Sequence, residues 1–335
     1  MSSKIAVLGS GSWGTALAAH FAAAGHDVRL WGRNADLIAD IQVRRVNAIY
    51  LPGVTLPGSV LATASLEDAL TRAEFVVAAL PSHGTRAVLR QAAPFVPRQA
   101  LTVSAIKGLE QETLLRMSEV IAQELRGARP VAVLSGPSFA LEVARALPTA
   151  VCVASVDPVL AEEVQREFRA PYFRLYASTD VVGVEIGGAL KNIIAIAAGV
   201  VEGLGLGQNA LAALVTRGLA EITRLASALG GQRETLAGLS GLGDLVLTCT
   251  GTLSRNRHVG IELAHGRQIS EVLAGMKMVA EGVKTTGAAL ALGRRHGIEL
   301  PIATQMAEVL SGSRTAAAAV GELMLRPQKT EQESY

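Results

Sequence analysis

A run of four apolar residues, Ile5 to Leu8, enters Gly9-Ser10-Gly11-Ser12-Trp13-Gly14, and an alanine-rich stretch from Thr15 to Ala24 follows. This is the order strand, glycine loop, helix, and the spacing suits a pyrophosphate. Gly9 permits the tight turn, Gly11 lets backbone approach the anion, and Gly14 lets the helix pack on the strand. Free N–H groups at the helix start then face the negative charge. A second strand, Val28 to Trp31, follows Gly25 and completes the context expected of a dinucleotide site.

The residues after that second strand bear on which dinucleotide. An acidic group about twenty positions into such a unit accepts hydrogen bonds from a ribose 2′-hydroxyl. Here the chain reads Trp31-Gly32-Arg33-Asn34, with nothing acidic before Asp36. Arg33 can meet a 2′-phosphate with charge-assisted hydrogen bonds worth about 1.5–3 kcal/mol each. NADP(H) is therefore favoured, and NAD(H) is the alternative if Arg33 is only a solvated loop residue.

Three further groups carry possible chemistry. Lys191 stands amid alanine and isoleucine, either snorkelling at a surface or set in a cleft, where desolvation lowers an ammonium pKa toward neutrality and fits it for proton transfer. Asp244 lies among glycines in Ser240-Gly241-Leu242-Gly243-Asp244 and can cap a helix beginning at Leu245 or orient a catalytic cation, two compatible roles. Ser254-Arg255-Asn256-Arg257 offers hydroxyl, guanidinium and amide in succession, a set matched to phosphate oxygens, although a solvated loop has the same composition.

The elements that must position these groups alternate through the first half. Strands are expected at Phe75 to Leu80, Leu101 to Ile106, Val131 to Leu134, Ala150 to Val153 and Phe173 to Tyr176. Helical patterns cover Thr85 to Ala92, Thr113 to Leu125, Ser138 to Ala146 and Pro158 to Phe168. The fold class is α/β: an N-terminal doubly wound, mainly parallel Rossmann-type sheet over residues 1–180, with ligands beyond the carboxyl ends of its strands. Those ends read Leu80-Pro81-Ser82-His83, Ile106-Lys107-Gly108 and Leu134-Ser135-Gly136-Pro137-Ser138. Strand patterns then nearly vanish, and an all-helical domain is expected over 181–325, with a polar tail at 326–335. Its first helix, Val181 to Glu202, holds Gly183, Gly187, Gly188 and Gly199, each costing up to about 1 kcal/mol against alanine. Another backbone or a ligand must approach it closely.

Of 335 residues, 50% are hydrophobic and 18% charged, with a net charge of +2 and no basic block, which argues against nucleic acid and anionic membranes as partners. No uncharged run reaches the roughly 18–20 residues of a bilayer span, and the apolar stretch after Lys4 breaks too early for a secretory signal. A soluble, cytoplasmic protein is expected, its Cys152 and Cys249 unpaired. The six histidines show no ligand spacing, so no metal is expected. The apolar helical half suggests a face buried in a homodimer, and the sequence alone also permits a monomer.

Six motifs in order resemble those of bacterial NAD(P)-dependent glycerol-3-phosphate dehydrogenase. These are Gly9-x-Gly11-x-Trp13-Gly14-Thr15-Ala16-Leu17, Ala105-Ile106-Lys107-Gly108-Leu109-Glu110, Ser135-Gly136-Pro137-Ser138-Phe139-Ala140, Gly188-Ala189-Leu190-Lys191-Asn192, Gly241-Leu242-Gly243-Asp244-Leu245 and Ser254-Arg255-Asn256-Arg257. The resemblance spans Ile5 to about Leu325. It implies reversible reduction of dihydroxyacetone phosphate to sn-glycerol 3-phosphate for phospholipid synthesis. It further implies Lys191 as general acid and base, Lys107 in contact with substrate and cofactor, and Asp244 orienting the lysines with Asn192 and Thr248 in support. By the same resemblance Gly136, Ser138, Ser254, Arg255 and Asn256 are substrate positions, with Arg255 and Asn256 on the phosphate. Ser12, Trp13, Arg33, Lys107, Ala140, Arg255, Val279 and Glu281 are cofactor positions. Two rival readings are a β-hydroxyacid-type dehydrogenase and a non-catalytic NADP(H) sensor.

Overall fold

A computed structural model describes residues 2–125, 130–276, 278–328 and 330. The first half alternates as expected. β1 (Lys4–Leu8), α1 (Ser12–Ala23) and β2 (Asp27–Trp31) open the chain, and α2 (Ala35–Arg44) follows. A small antiparallel pair, β3 (Val46–Asn47) and β4 (Leu51–Thr55), precedes β5 (Val60–Thr63), α3 (Leu66–Leu70) and β6 (Phe75–Ala78). Then come α4 (Thr85–Ala92), β7 (Leu101–Ser104), α5 (Met117–Glu124), β8 (Ala132–Ser135), α6 (Ala140–Ala144), β9 (Thr149–Ala154), α7 (Pro158–Phe168) and β10 (Phe173–Ser178).

The main sheet runs β10-β9-β8-β7-β6-β1-β2-β5. β6, β7 and β8 are buried at every position, the mark of a sheet covered on both faces. Pairing is parallel except between β8 and β9, so β9 and β10 run opposite to the other six strands. The elements between residues 35 and 70 lie outside the sequence expectations. β4 carries Pro52 and Gly53, and β5 is a four-residue edge strand; neither gives a clear periodic signal. The helix expected at Thr113 to Leu125 begins only at Met117, because Leu114 takes a φ of 64° and Leu109 pairs with Arg116 in a short antiparallel bridge.

Reversal of the last two strands decides where the next helix begins. β10 ends at the rim opposite the glycine loop, so α8 (Val181–Gly203) starts there and climbs back across the sheet. Val181 and Val184 pack on Val133 and Ala154, and Gly188 lies against Ser135 at the far end of β8. Every residue of α8 from Gly183 to Val201 is buried. It is the one helix among the described residues long and apolar enough to cross a membrane, yet 94% of its apolar window is enclosed by the fold.

Around α8 pack α9 (Gly207–Ala228), α10 (Arg233–Ala237), α11 (Asp244–Thr250), α12 (Arg255–Ala264), α13 (Ile269–Ala274), α14 (Glu281–His296), α15 (Pro301–Ser311) and α16 (Ala316–Met324). A five-residue π-helical turn, Leu239–Gly243, leads directly into α11. The glycines of α8 have a packing cause. At the crossing with α12 a Cβ on Gly199 would stand 1.9 Å from the Arg257 carbonyl oxygen, and one on Gly260 would stand 1.9 Å from that of Ile196. Of the polar tail at 326–335, residues 329 and 331–335 lie outside the described residues.

Candidate active site

Two lysines from the two halves of the chain meet on one carboxylate. Lys107, three residues past β7, donates from Nζ to Asp244 Oδ2 at 2.7 Å and to the Gly136 carbonyl at 2.9 Å. Lys191 donates to Asp244 Oδ1 and to Thr248 Oγ1, the latter at 2.8 Å. Thr248 in turn donates to the Asp244 carbonyl at 2.6 Å, one helical turn back. Gly136, with φ of +137°, occupies backbone that favours glycine and so turns its carbonyl toward Lys107. The same carbonyl accepts the Ser138 hydroxyl at 2.9 Å.

Asp244 is 1% exposed and Lys191 6% exposed. Burial pulls the Lys191 ammonium down to about 7; the Asp244 carboxylate opposes this shift, and the like charge of Lys107 adds to it. One carboxylate shared by two amines leaves a net positive site when both are protonated. Such a site suits a bound anion or an oxygen that gains negative charge. Of the two sequence readings of Asp244, the helix cap is overturned: Gly243 is the N-cap of α11, and no side-chain cap bond forms. The π-turn continues into α11 without a break, so Asp244 is free to face the lysines.

A second group lies around α12 and α14. Asn256 Nδ2 donates to Asn192 Oδ1 at 2.9 Å, and Asn256 Oδ1 accepts from Gly282 N at 3.0 Å. Ser254 is the N-cap of α12, its hydroxyl accepting from Arg257 N at 3.3 Å. Exposed Arg255 reaches the Val279 carbonyl at 2.9 Å. Glu281, first residue of α14, accepts from Ser82 N at 3.1 Å and from Ser82 Oγ at 2.5 Å, joining α14 to the loop after β6.

The glycine loop forms a third group, and its residues fit a dinucleotide. Gly9, with φ of +121°, leaves room for a Cβ only 2.4 Å from the Ala79 carbonyl oxygen, and on Gly14 a Cβ would stand 1.8 Å from the Gly9 oxygen. A Cβ on Gly11 would meet nothing within 4 Å, so space stands open before the N-terminus of α1. No side chain caps that terminus, and its first N–H groups have no intrahelical carbonyl. The buried Trp13 Nε1 has no hydrogen-bond partner among the described residues. Arg33 is exposed beyond β2, next to Gly32, which presses on Ser10. Ala140, at the start of α6, packs like Trp13 against the cluster of Ala16, Leu51 and Val54.

One supporting residue lies outside the sequence expectations. Asn47, fully buried, donates from Nδ2 to the Ser10 carbonyl at 2.9 Å and to Thr15 Oγ1 at 2.8 Å, bracing the glycine loop. Its signal in the sequence is only a lone amide beside Ala48 and Ile49. Ser12 donates to the Tyr50 carbonyl at 2.6 Å and contacts Met278 Sδ at 2.8 Å, which brings the segment before α14 over the same loop.

Residues 4–161 match the model of the NAD-dependent glycerol-3-phosphate dehydrogenase N-terminus, and residues 180–321 match that of the C-terminus. A glycerol-3-phosphate dehydrogenase [NAD(P)+] of Koribacter versatilis is 54% identical over 273 residues, covering 81% of each chain. One of Geobacter sulfurreducens is 54% identical over 274 residues, covering 81% of this chain and 82% of its own. The crystal structure of glycerol-3-phosphate dehydrogenase from Coxiella burnetii superposes with a TM-score of 0.93 at 41% identity, covering 97% of this chain and 99% of that one.

Proposed function

This chain belongs to the NAD-dependent glycerol-3-phosphate dehydrogenase family, and from that premise we propose that it reversibly reduces dihydroxyacetone phosphate to sn-glycerol 3-phosphate for phospholipid synthesis. The observation that carries the mechanism is the buried Lys191–Asp244–Lys107 arrangement. When bound, the nicotinamide supplies the hydride. The chain's own residues handle the proton and the charge. Reduction turns a carbonyl oxygen into an alkoxide, and the Lys191 ammonium gives that oxygen its proton, becoming a neutral amine; in reverse the amine takes the hydroxyl proton. With a pKa drawn down to about 7 by burial, Lys191 exchanges protons near neutrality in both directions. Lys107 and Asp244 orient the amine and stabilise charge that develops only in the transition state.

At the far end of the substrate, Arg255 with Asn256 and Ser254 at the start of α12 is the proposed phosphate grip, supported by the grouping of guanidinium, amide and hydroxyl at one helix N-terminus. Gly136 and Ser138 border the substrate from the end of β8. Gly9, Gly11, Ser12, Trp13 and Gly14 would hold the cofactor pyrophosphate side, with Ala140, Val279 and Glu281 along its length and Arg33 at a 2′-phosphate. On that last contact rests the proposed preference for NADP(H) over NAD(H).

We place the domain boundary between residues 180 and 181, where the sheet ends and α8 begins. Cytoplasmic residence accords with two free, buried cysteines. A homodimer accords with half-exposed Leu206, Leu242, Val246 and Leu253 on the helical half, and light scattering tests it. The function itself is tested by following NADPH and NADH absorbance on adding dihydroxyacetone phosphate. Oxidation of the cofactor is expected, and none with either cofactor would overturn the reading.

A further inference from the structure

On α8, positions 185, 188 and 191 follow one another along a single stripe at three-residue spacing, a span of about 9 Å. All three meet the chain that leaves β7. Glu185, 4% exposed, accepts from Arg116 Nη1 at 2.7 Å, from Ser118 N at 2.8 Å and from Ser118 Oγ at 2.6 Å. Gly188 lies against the Lys107 side chain, whose Cγ would be 3.7 Å from a Cβ placed there. Lys191 shares Asp244 with Lys107. Arg116 is bridged to Leu109, two residues from Lys107, and Leu109 is itself buried in the helical core. One helix therefore grips the loop carrying Lys107 at both ends. The resemblance gives Glu185 no part, and it touches neither reactive lysine.

We propose that Glu185 is a positioning residue for the reaction, holding the Lys107 loop in register with Lys191 through Arg116 and Ser118. The assignment rests on the roles proposed above for the two lysines. A buried carboxylate with three donors costs less to keep than to break, since losing its charge takes the buried partner from Arg116 Nη1 and leaves the guanidinium only the exposed Glu119, 3.0 Å from its Nη2. Burial raises the Glu185 carboxyl, and Arg116 and Ser118 oppose this by favouring the charged form. Around Lys191 the charged or titratable neighbours are Asp244 and Cys249 from α11 and Lys107 from the loop. Slackening the loop moves Lys107 off Asp244. That removes a like charge from Lys191 and frees the carboxylate for it, and both changes favour the ammonium.

The test compares kcat for dihydroxyacetone phosphate reduction across pH in the wild type, Glu185→Gln and Arg116→Lys, with thermal melts of each. In Glu185→Gln, kcat should fall roughly 10–100-fold, and the descending alkaline limb should move up by about one pH unit. Arg116→Lys keeps the charge and loses the fork, so it should show a smaller shift of the same sign. If Glu185→Gln does not fold, Arg116→Lys decides alone. A limb at the wild-type position, whatever the change in melting temperature, overturns the proposal and leaves Glu185 a structural tie. A wild type inactive on this substrate instead sinks the function on which the proposal rests.

Discussion

Lys107 and Asp244 stand 137 residues apart, yet their charged ends meet at 2.7 Å, and the second oxygen of Asp244 takes the Lys191 ammonium. The carboxylate is thus the counterion for both amines at once. Asp244→Asn should let the lysines repel one another, so Lys191 falls below its value of about 7 and the alkaline limb of kcat for reduction moves to lower pH. A limb that stays in place would mean that Asp244 does not set the charge of Lys191.

Replacing the donor itself should be costlier to chemistry than to binding. Lys191→Ala should lower kcat about 10²–10⁴-fold, with NADPH affinity by fluorescence titration nearly intact. Unchanged turnover removes Lys191 from the proton-transfer step. In the wild type, reduction needs the ammonium, so kcat should decline as pH rises through about 7.

Arg255 and Arg33 should separate by substrate and by cofactor. Arg255→Ala should weaken dihydroxyacetone phosphate and spare unphosphorylated dihydroxyacetone; equal loss on both would make Arg255 structural. Arg33→Ala should narrow the ratio of kcat/KM for NADPH over NADH. An unaltered ratio refutes contact with a 2′-phosphate.

The crossing of α8 and α12 offers a packing test. Gly260→Ala places a methyl into the Ile196 carbonyl and should cost about 1–3 kcal/mol or more in urea unfolding. Gly287→Ala, on α14 with nothing within 4 Å of the new methyl, should instead be neutral or stabilise by up to about 1 kcal/mol. Equal effects at both sites would show that the helices do not approach as described.

His20 gives a stability effect with a definite sign. Burial lowers it to about 4 from an ordinary value of 6.5, while its ring nitrogens bond the Phe168 carbonyl at 2.8 Å and the Tyr172 hydroxyl at 3.0 Å. Between those values the unfolded chain binds the proton and the folded chain does not. Stability should therefore be full above 6.5 and fall as pH drops toward 4, by up to the order of 3 kcal/mol. His20→Gln should flatten that slope in melts taken across the window.

Much of this was legible before the fold. The glycine loop was readable because its constraint is local: Gly9, Gly11 and Gly14 answer to one turn and one helix. The strands β6, β7 and β8 were readable as short apolar runs. Asn47 was not, since its worth lies in reaching Ser10 and Thr15 across space. The direction of β9 and β10 was not either, because Ala150 to Val153 reads the same whichever way it runs. Asp244 stayed ambiguous for a related reason. Whether it caps α11 depends on the preceding turn, and the π-helical turn at Leu239–Gly243 has no distinct periodicity.

Because β9 and β10 are reversed, α8 sets out from the rim remote from the reactive groups and uses the breadth of the sheet as its yardstick. The reactive amine is therefore located by counting residues along a buried rod rather than by the shape of a loop. Each residue added before position 191 would swing that amine by about 100° and carry it about 1.5 Å onward. The length of the segment from 181 to 191 thus sets where the amine stands.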